Sequence, residues 1–228
     1  MTEGVYGDEV MGRITHGLLR LSTAMRSRAW GWAESAGLTP TQGEILVLLM
    51  QRKGPLRLGE IARQTALTAA TTSDAVSTLE SKQLLEKRRA LDDGRALAVR
   101  LTAKGRTAAR KAAQWPTFLH AAAGTLPAEE QAALYRSLIK MIRELETKSS
   151  IPTHRMCVTC VHFEPFAELQ DGARKASKRA QRATAPVHHC ALLNFSMPDT
   201  GVRLDCPVYE EASEATRRKT WKLFTQAG

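Results

Sequence analysis

The chain has no cysteine before position 157, no apolar run approaching the length of a membrane span, and too few acidic residues to balance its basic ones. The first absence removes disulfides from the front of the chain; at 228 residues it is long enough to bury the core of one ordinary domain and a small second one without them. The second excludes a membrane-spanning helix. The opening "MTEGVYGDEV" also lacks the basic and apolar regions of a signal peptide, so a cytoplasmic location is expected. The third leaves 33 Lys and Arg against 23 Asp and Glu, a net charge of +10 and a pI of about 9.8, which favours a polyanionic partner, nucleic acid first.

What is present is mostly helical. Residues 8–36 space Val10, Ile14, Leu18, Leu21 and Met25 at helical intervals until Gly37 ends the pattern. "TPTQGEILVLLMQRKGP" starts a second, strongly apolar helix from a Thr39 or Thr41 cap, and Gly54-Pro55 stops it. A short helix at about 58–65 follows. After a break at Ala66-Leu67, a Thr68 cap opens another helix through about Lys82, with Val76 and Leu79 inward. Two short helices joined by a tight turn make a helix-turn-helix. A second helix that enters a major groove needs short or hydrogen-bonding side chains near its start, and Thr71, Thr72, Ser73 and Ser77 meet that need.

Next comes "LLEKRRALDDGRALAVRLTAKG". Two strand-like runs, 84–90 and 96–101, flank the turn "LDDG" and form a hairpin, which directly after a recognition helix is a wing. Arg95 is placed to enter a minor groove, and Lys87, Arg88 and Arg89 to meet phosphates.

That stretch, with its Asp-x-Arg turn and closing "LTAKG", together with the preceding "LRLGEIARQTALTAATTSDAVSTLESKQLL", resembles the MarR-type winged-helix regulators over roughly residues 10–148. The resemblance implies that Asp93 braces the wing, that Arg95 is its minor-groove arginine, and that Thr71 to Ser73 lie at the major groove. It further implies that the first helix and the last two helices pair two protomers. Two departures stand out: Gln83 occupies a position where the family commonly has Gly, and the recognition helix has no basic residue before Lys82. Beyond the wing, a helix starts near Thr102 and Pro116 kinks or ends it. Pro127 opens another, with Leu134, Leu138, Met141, Ile142 and Leu145 at helical spacing. An apolar stripe outside a small core calls for a partner surface independently of the resemblance.

"SSIPTH" reads as a linker, dividing a domain at 1–148 from a module at 149–228. The module holds Cys157, Cys160, Cys190 and Cys206, opening with C-x2-C. In a cytosolic protein, metal or cluster binding explains that grouping better than a metal-free thiol switch or inert thiols do. The four cysteines suit a four-thiolate cage. Zinc ribbons usually pair two C-x2-C knuckles, whereas here fifteen residues separate Cys190 from Cys206. Pro207 after the last thiol, and Phe163, Phe166, Leu192 and Tyr209 as a shield from water, favour an iron-sulfur cluster of the 4Fe-4S type, with zinc as the alternative. His188 and His189 are expected to support the site or lie exposed rather than ligate. Between Cys160 and Cys190, Arg174, Lys175, Lys178, Arg179 and Arg182 form a basic loop, solvated or a phosphate clamp. The last stretch is expected to be a helix with Tyr209, Ala212, Trp221 and Phe224 partly buried.

The expected fold is mainly α with a small β-hairpin wing: a winged helix-turn-helix with long dimerisation helices and a small irregular metal-binding C-terminal module. The expected function is a homodimeric repressor that binds a pseudo-palindromic operator in double-stranded DNA, with the cluster sensing redox state or iron and no membrane involved. The alternative is a regulator that answers a small aromatic inducer, with structural zinc in the module. An enzyme using Cys157 or Cys160 with His162 as base has no further catalytic constellation to support it.

Overall fold

The computed structural model describes residues 9–52, 54–89, 97–149, 151–166 and 188–226, which fall into two compact units, Met1–Ala123 and Gly124–Gly228. In the first unit the order is α1 (Val10–Ser35), α2 (Pro40–Gln51), β1 (Leu56–Arg57), α3 (Leu58–Thr65), α4 (Ala69–Ser81), β2 (Leu85–Arg89), β3 (Leu97–Leu101), α5 (Ala103–Ala112) and α6 (Thr117–Ala123). The sheet is antiparallel in the order β1-β3-β2, with Leu85 opposite Leu101 and Lys87 opposite Val99.

Each boundary has a local cause. Thr39 caps α2: its hydroxyl accepts the Gln42 N–H at 3.2 Å, and the Gln42 side chain accepts the Thr39 N–H at 3.2 Å. Ile45, Leu46, Leu48 and Leu49 then bury nearly all of α2's apolar surface. The α3 helix ends at Ala66, whose φ of 56° turns the chain left-handed, and Thr68 caps α4 by accepting the Thr71 N–H at 3.1 Å. The core joins these helices to the sheet through Ile61, Val76, Leu79, Leu85, Val99 and Leu101.

The closing "LTAKG" has a structural reason. Thr102 caps α5 by accepting the Gly105 N–H at 2.9 Å, and its hydroxyl reaches back to the Gln83 carbonyl at 2.8 Å. A Cβ on Gly105 would stand 1.9 Å from the Leu84 carbonyl oxygen, so only glycine lets α5 approach the turn that ends α4. Gln83, at the centre of that turn, has φ 60°. This left-handed conformation is the reason a glycine suits the position.

The α1 helix buries only Ala33, while Val10, Ile14, Leu18 and Leu21 remain 38–70% exposed. That is the unpartnered stripe which the sequence pattern anticipates.

The second unit holds α7 (Ala128–Thr147), β4 (Phe163–Glu164), β5 (His188–Cys190), β6 (Phe195–Met197) and α8 (Glu214–Gln226). Its small antiparallel sheet, β4-β5-β6, is not foreseen in the sequence. The units part at 123/124, ahead of α7, whereas the composition change suggests 148/149. One face of α7, with Ile139, Tyr135 and Ile142, shares a core with Met156, Val158, Phe163, Val202 and Phe224. The face a quarter-turn away leaves Leu134, Met141 and Leu145 exposed. No helix among the described residues is long and apolar enough to cross a membrane.

Relieving the left-handed strain at position 83 outweighs the extra unfolded-state freedom of glycine. Gln83→Gly is therefore expected to stabilise the first unit by about 0.5–1 kcal/mol, read as a raised midpoint in chemical denaturation.

Candidate functional site

The α3–turn–α4 segment has the helix-turn-helix form, and burial sorts the α4 side chains. Thr71, Ser73 and Ser77 are exposed, as the groove reading requires. Thr72 is corrected: it is 0% exposed, and its hydroxyl donates to the Thr68 carbonyl at 2.9 Å, so it belongs to the core face with Ala75, Val76 and Leu79. The ridge diametrically opposite that face carries Ala70, Asp74, Ser77 and Ser81. Asp74, which the hydroxyl pattern passes over, is exposed in the middle of it.

The wing's basic residues are partly committed within the protein. Lys87 pairs with Glu80 at 2.7 Å, and Arg88 and Arg100 both pair with Glu86, whose carboxyl the Arg100 hydrogen bond holds below its ordinary range. Exposed pairs of this kind are weak, so phosphate can displace them. Arg89 ends β2. Asp93 and Arg95 lie outside the described residues, as does the basic run Arg174 to Arg182.

In the second unit the backbone joins Cys157 to Cys160 and anchors the other two cysteines to neighbouring segments. Cys157 donates its N–H to the Arg203 carbonyl at 2.9 Å, the Arg203 N–H returns to the Cys157 Sγ at 3.2 Å, and the Cys206 N–H reaches the Arg155 carbonyl at 2.9 Å. Cys160 closes a tight turn on Cys157, N–H to carbonyl at 2.9 Å, and Cys190 stands opposite Phe163 in the β4–β5 pairing. Cys157, Cys160 and Cys206 are buried and Cys190 is half-buried; all four are free thiols. Burial pushes the Cys157 thiol up to about 11, and the other three thiols, close enough to act on it, add to the rise. Among the described residues, no three Cys, His, Asp or Glu form a group that could hold a metal ion as the side chains stand.

Tyr209 occupies a telling place. Its N–H closes on the Cys206 carbonyl at 3.3 Å, the same turn that Cys160 makes on Cys157. It therefore stands where the last thiol of a second knuckle would be, and Cys190 enters from the hairpin instead. Phe163 and Phe166 are buried as a shield would be, whereas Leu192 is 51% exposed and does not serve as one.

His188 is a core residue. It is 0% exposed, its Nε2 lies 2.6 Å from Asp199, and its Nδ1 accepts the Phe166 N–H at 3.3 Å. Asp199 also accepts from Arg136 on α7 at 2.6 Å, and Arg136 donates to the Phe224 carbonyl at 2.6 Å. Burial lowers the His188 pKa despite the carboxylate, which keeps the ring neutral. The sequence offers no mark of this chain, because its members are spread from 136 to 224.

The first unit also holds an open cavity of about 690 Å³ whose lining includes Trp32, Leu38, Leu84, Lys82, Lys104 and Lys111. Its lining combines apolar side chains with three lysines.

Comparison with known proteins finds the MarR family over residues 38–97. The chain is similar to the structure of a MepR–DNA complex from S. aureus, with 23% identity, 57% of this chain and 97% of that chain covered, and a TM-score of 0.52. S. aureus MepR in its DNA-binding conformation is also similar, with 23% identity, 58% and 98% covered, and a TM-score of 0.52. A probable transcriptional regulator from Pseudomonas aeruginosa is 30% identical over 59% of this chain and 97% of that one, with a TM-score of 0.45. At 23% identity the likeness to MepR is one of fold. No curated protein matches the chain.

One pH effect follows from the end of α7. The buried Glu146 accepts from the His154 backbone at 2.6 Å and lies 2.9 Å from its Nδ1; this hydrogen bond raises the His154 pKa, with Asp205 adding to it. A raised folded pKa contributes stability that is fully present below the unfolded value of about 6.5 and is lost as pH rises through the folded value. His154→Gln should therefore destabilise the second unit at pH 6 and have less effect at pH 8.5, measured by denaturant midpoints at both.

Proposed function

We propose that this chain, whose residues 38–97 form a winged helix-turn-helix of the MarR family, is a homodimeric DNA-binding transcriptional regulator, a repressor, whose C-terminal cysteines hold an iron-sulfur cluster that reports redox state or iron. The observation that carries the DNA-binding reading is α4 itself. Its outward ridge presents only short side chains, Ala70, Asp74, Ser77 and Ser81, so a base edge can approach the helix closely. The net charge of +10 supports a polyanionic partner, and a similar fold is known in complex with DNA in MepR. The exposed stripes of α1 and α7 support pairing of two copies, which would present two α4 helices to half-sites about one helical turn apart.

The cluster reading rests on the gathering of Cys157, Cys160, Cys190 and Cys206, and on the N–H donation to the Cys157 sulfur, a contact that stabilises thiolate. Tyr209 in place of a second knuckle's last thiol favours a cluster over a zinc ribbon. A bound cluster would supply one-electron chemistry; Cys157, Cys160, Cys190 and Cys206 would hold it, Phe163 and Phe166 would exclude water, and His188, Asp199 and Arg136 connect that region to α7. A coupling of about 1–3 kcal/mol along that path changes operator affinity roughly 5- to 150-fold.

A second reading is favoured by the cavity. A lining of Trp32, Leu38 and Leu84 with Lys82, Lys104 and Lys111 suits a small aromatic anion, with zinc holding the module as a structural clip. Visible colour separates the two, since zinc is silent there.

The test is DNA binding by protein purified without oxygen. Affinity for operator should fall by orders of magnitude between about 50 and 200 mM salt, and Arg95→Ala should lower it roughly tenfold with the dimer intact. Affinity that ignores salt would overturn the DNA reading. Operator affinity unchanged after iron is removed would overturn the sensing reading.

A further inference from the structure

Asp74 is an unusual residue to find on the outward ridge of this helix in a protein of net charge +10. Three carboxylates on α3, α4 and β2 are engaged: Glu60 accepts the Arg57 N–H at 2.8 Å, Glu80 pairs with Lys87, and Glu86 with Arg88 and Arg100. Among the described residues the Asp74 carboxylate has no such partner; only its backbone carbonyl is used, accepting from Thr78 at 2.9 Å. It lies opposite Thr72, Val76 and Leu79, which fix the helix to the core, and between the short side chains of Ala70 and Ser77. No Lys or Arg stands anywhere on α4.

A bare carboxylate pushed into a polyanionic groove is repelled by phosphates and by every acceptor on the base edges. It is tolerated there only opposite a donor. The major groove offers two kinds, the N4 amino group of cytosine and the N6 amino group of adenine. Adenine places its N7 acceptor beside N6, against the second carboxylate oxygen, whereas cytosine presents N4 with no acceptor of its own beside it. Guanine O6 and N7 and thymine O4 are acceptors only, so the same carboxylate that selects cytosine also rejects those bases.

We propose that Asp74 is a specificity-determining residue of α4, accepting a hydrogen bond from cytosine N4 at one position of each operator half-site and excluding other bases there. This deepens the DNA-binding reading and rests on it. The short ridge on either side lets the two-carbon side chain reach the base edge. The repulsion it adds keeps the protein off sequences that offer no donor at that position, a restraint that a protein of this charge needs.

The experiment is selection from a pool of random-sequence duplexes by the full chain and by Asp74→Ala and Asp74→Asn. The wild-type consensus should contain a cytosine with discrimination of roughly tenfold at that pair. In D74A that position should become degenerate while the other positions persist, and a scrambled duplex should bind more tightly than to wild type. In D74N the position should shift towards adenine, which the amide reads through N6 and N7. An unchanged consensus in both variants, or an adenine at the affected position in wild type, overturns the proposal while leaving DNA binding in place. A wild type that enriches no sequence overturns the DNA-binding reading, and the inference falls with it.

Discussion

The part-buried ion pair between Arg136 and Asp199 is the contact on which the second unit depends. It ties α7 to the segment that leads from β6 to Cys206, and Asp199 passes the connection to His188, two residues before Cys190. Removing one partner of such a pair leaves a largely desolvated charge uncompensated, so the pair, the histidine and the Phe224 carbonyl stand or fall as a set. The rings of Phe163, Phe166 and Phe224 surround His188 and exclude the water that would loosen the set. Through this hydrogen-bond chain and one apolar core, α7 and the cysteine-bearing segments pack as one body.

The first unit solves a different problem, the orientation of a short helix. Thr102 and Gly105 lock α5 against the turn at Gln83 and Leu84, and that turn fixes where α4 ends and the wing begins. The core face of α4 is fully occupied by Thr72, Val76 and Leu79, so its outward ridge has a single orientation. Positive charge is kept off that ridge and placed on the wing and elsewhere, a division that separates attraction to the polyanion from discrimination among its bases.

Much of this was legible in the sequence because it is local. Caps at Thr39, Thr68 and Thr102 announce helix starts through their own side chains, and "LTAKG" names a contact whose two sides lie some twenty residues apart. The sequence does not place Thr72, because a hydroxyl in a helix looks the same whether it faces a groove or bonds to the carbonyl four residues back. The boundary at 148/149 followed composition, but α7 carries two apolar faces a quarter-turn apart, and the partners of Ile139 and Arg136 lie roughly twenty to ninety residues downstream. Strands of two or three residues, such as β4 to β6, are too short to leave an alternating pattern. His188 read as a neighbour of a thiol, and only the fold reveals Asp199 on its other side.

The central claim is that α7 and the four cysteines respond as one body. Hydrogen–deuterium exchange on protein prepared without oxygen, before and after treatment with a chelator, tests it most directly. The account predicts that amides around Arg136 to Glu146 lose protection together with those around Cys157, Cys190 and Cys206. Loss confined to the cysteine-bearing segments, with α7 unchanged, would contradict it.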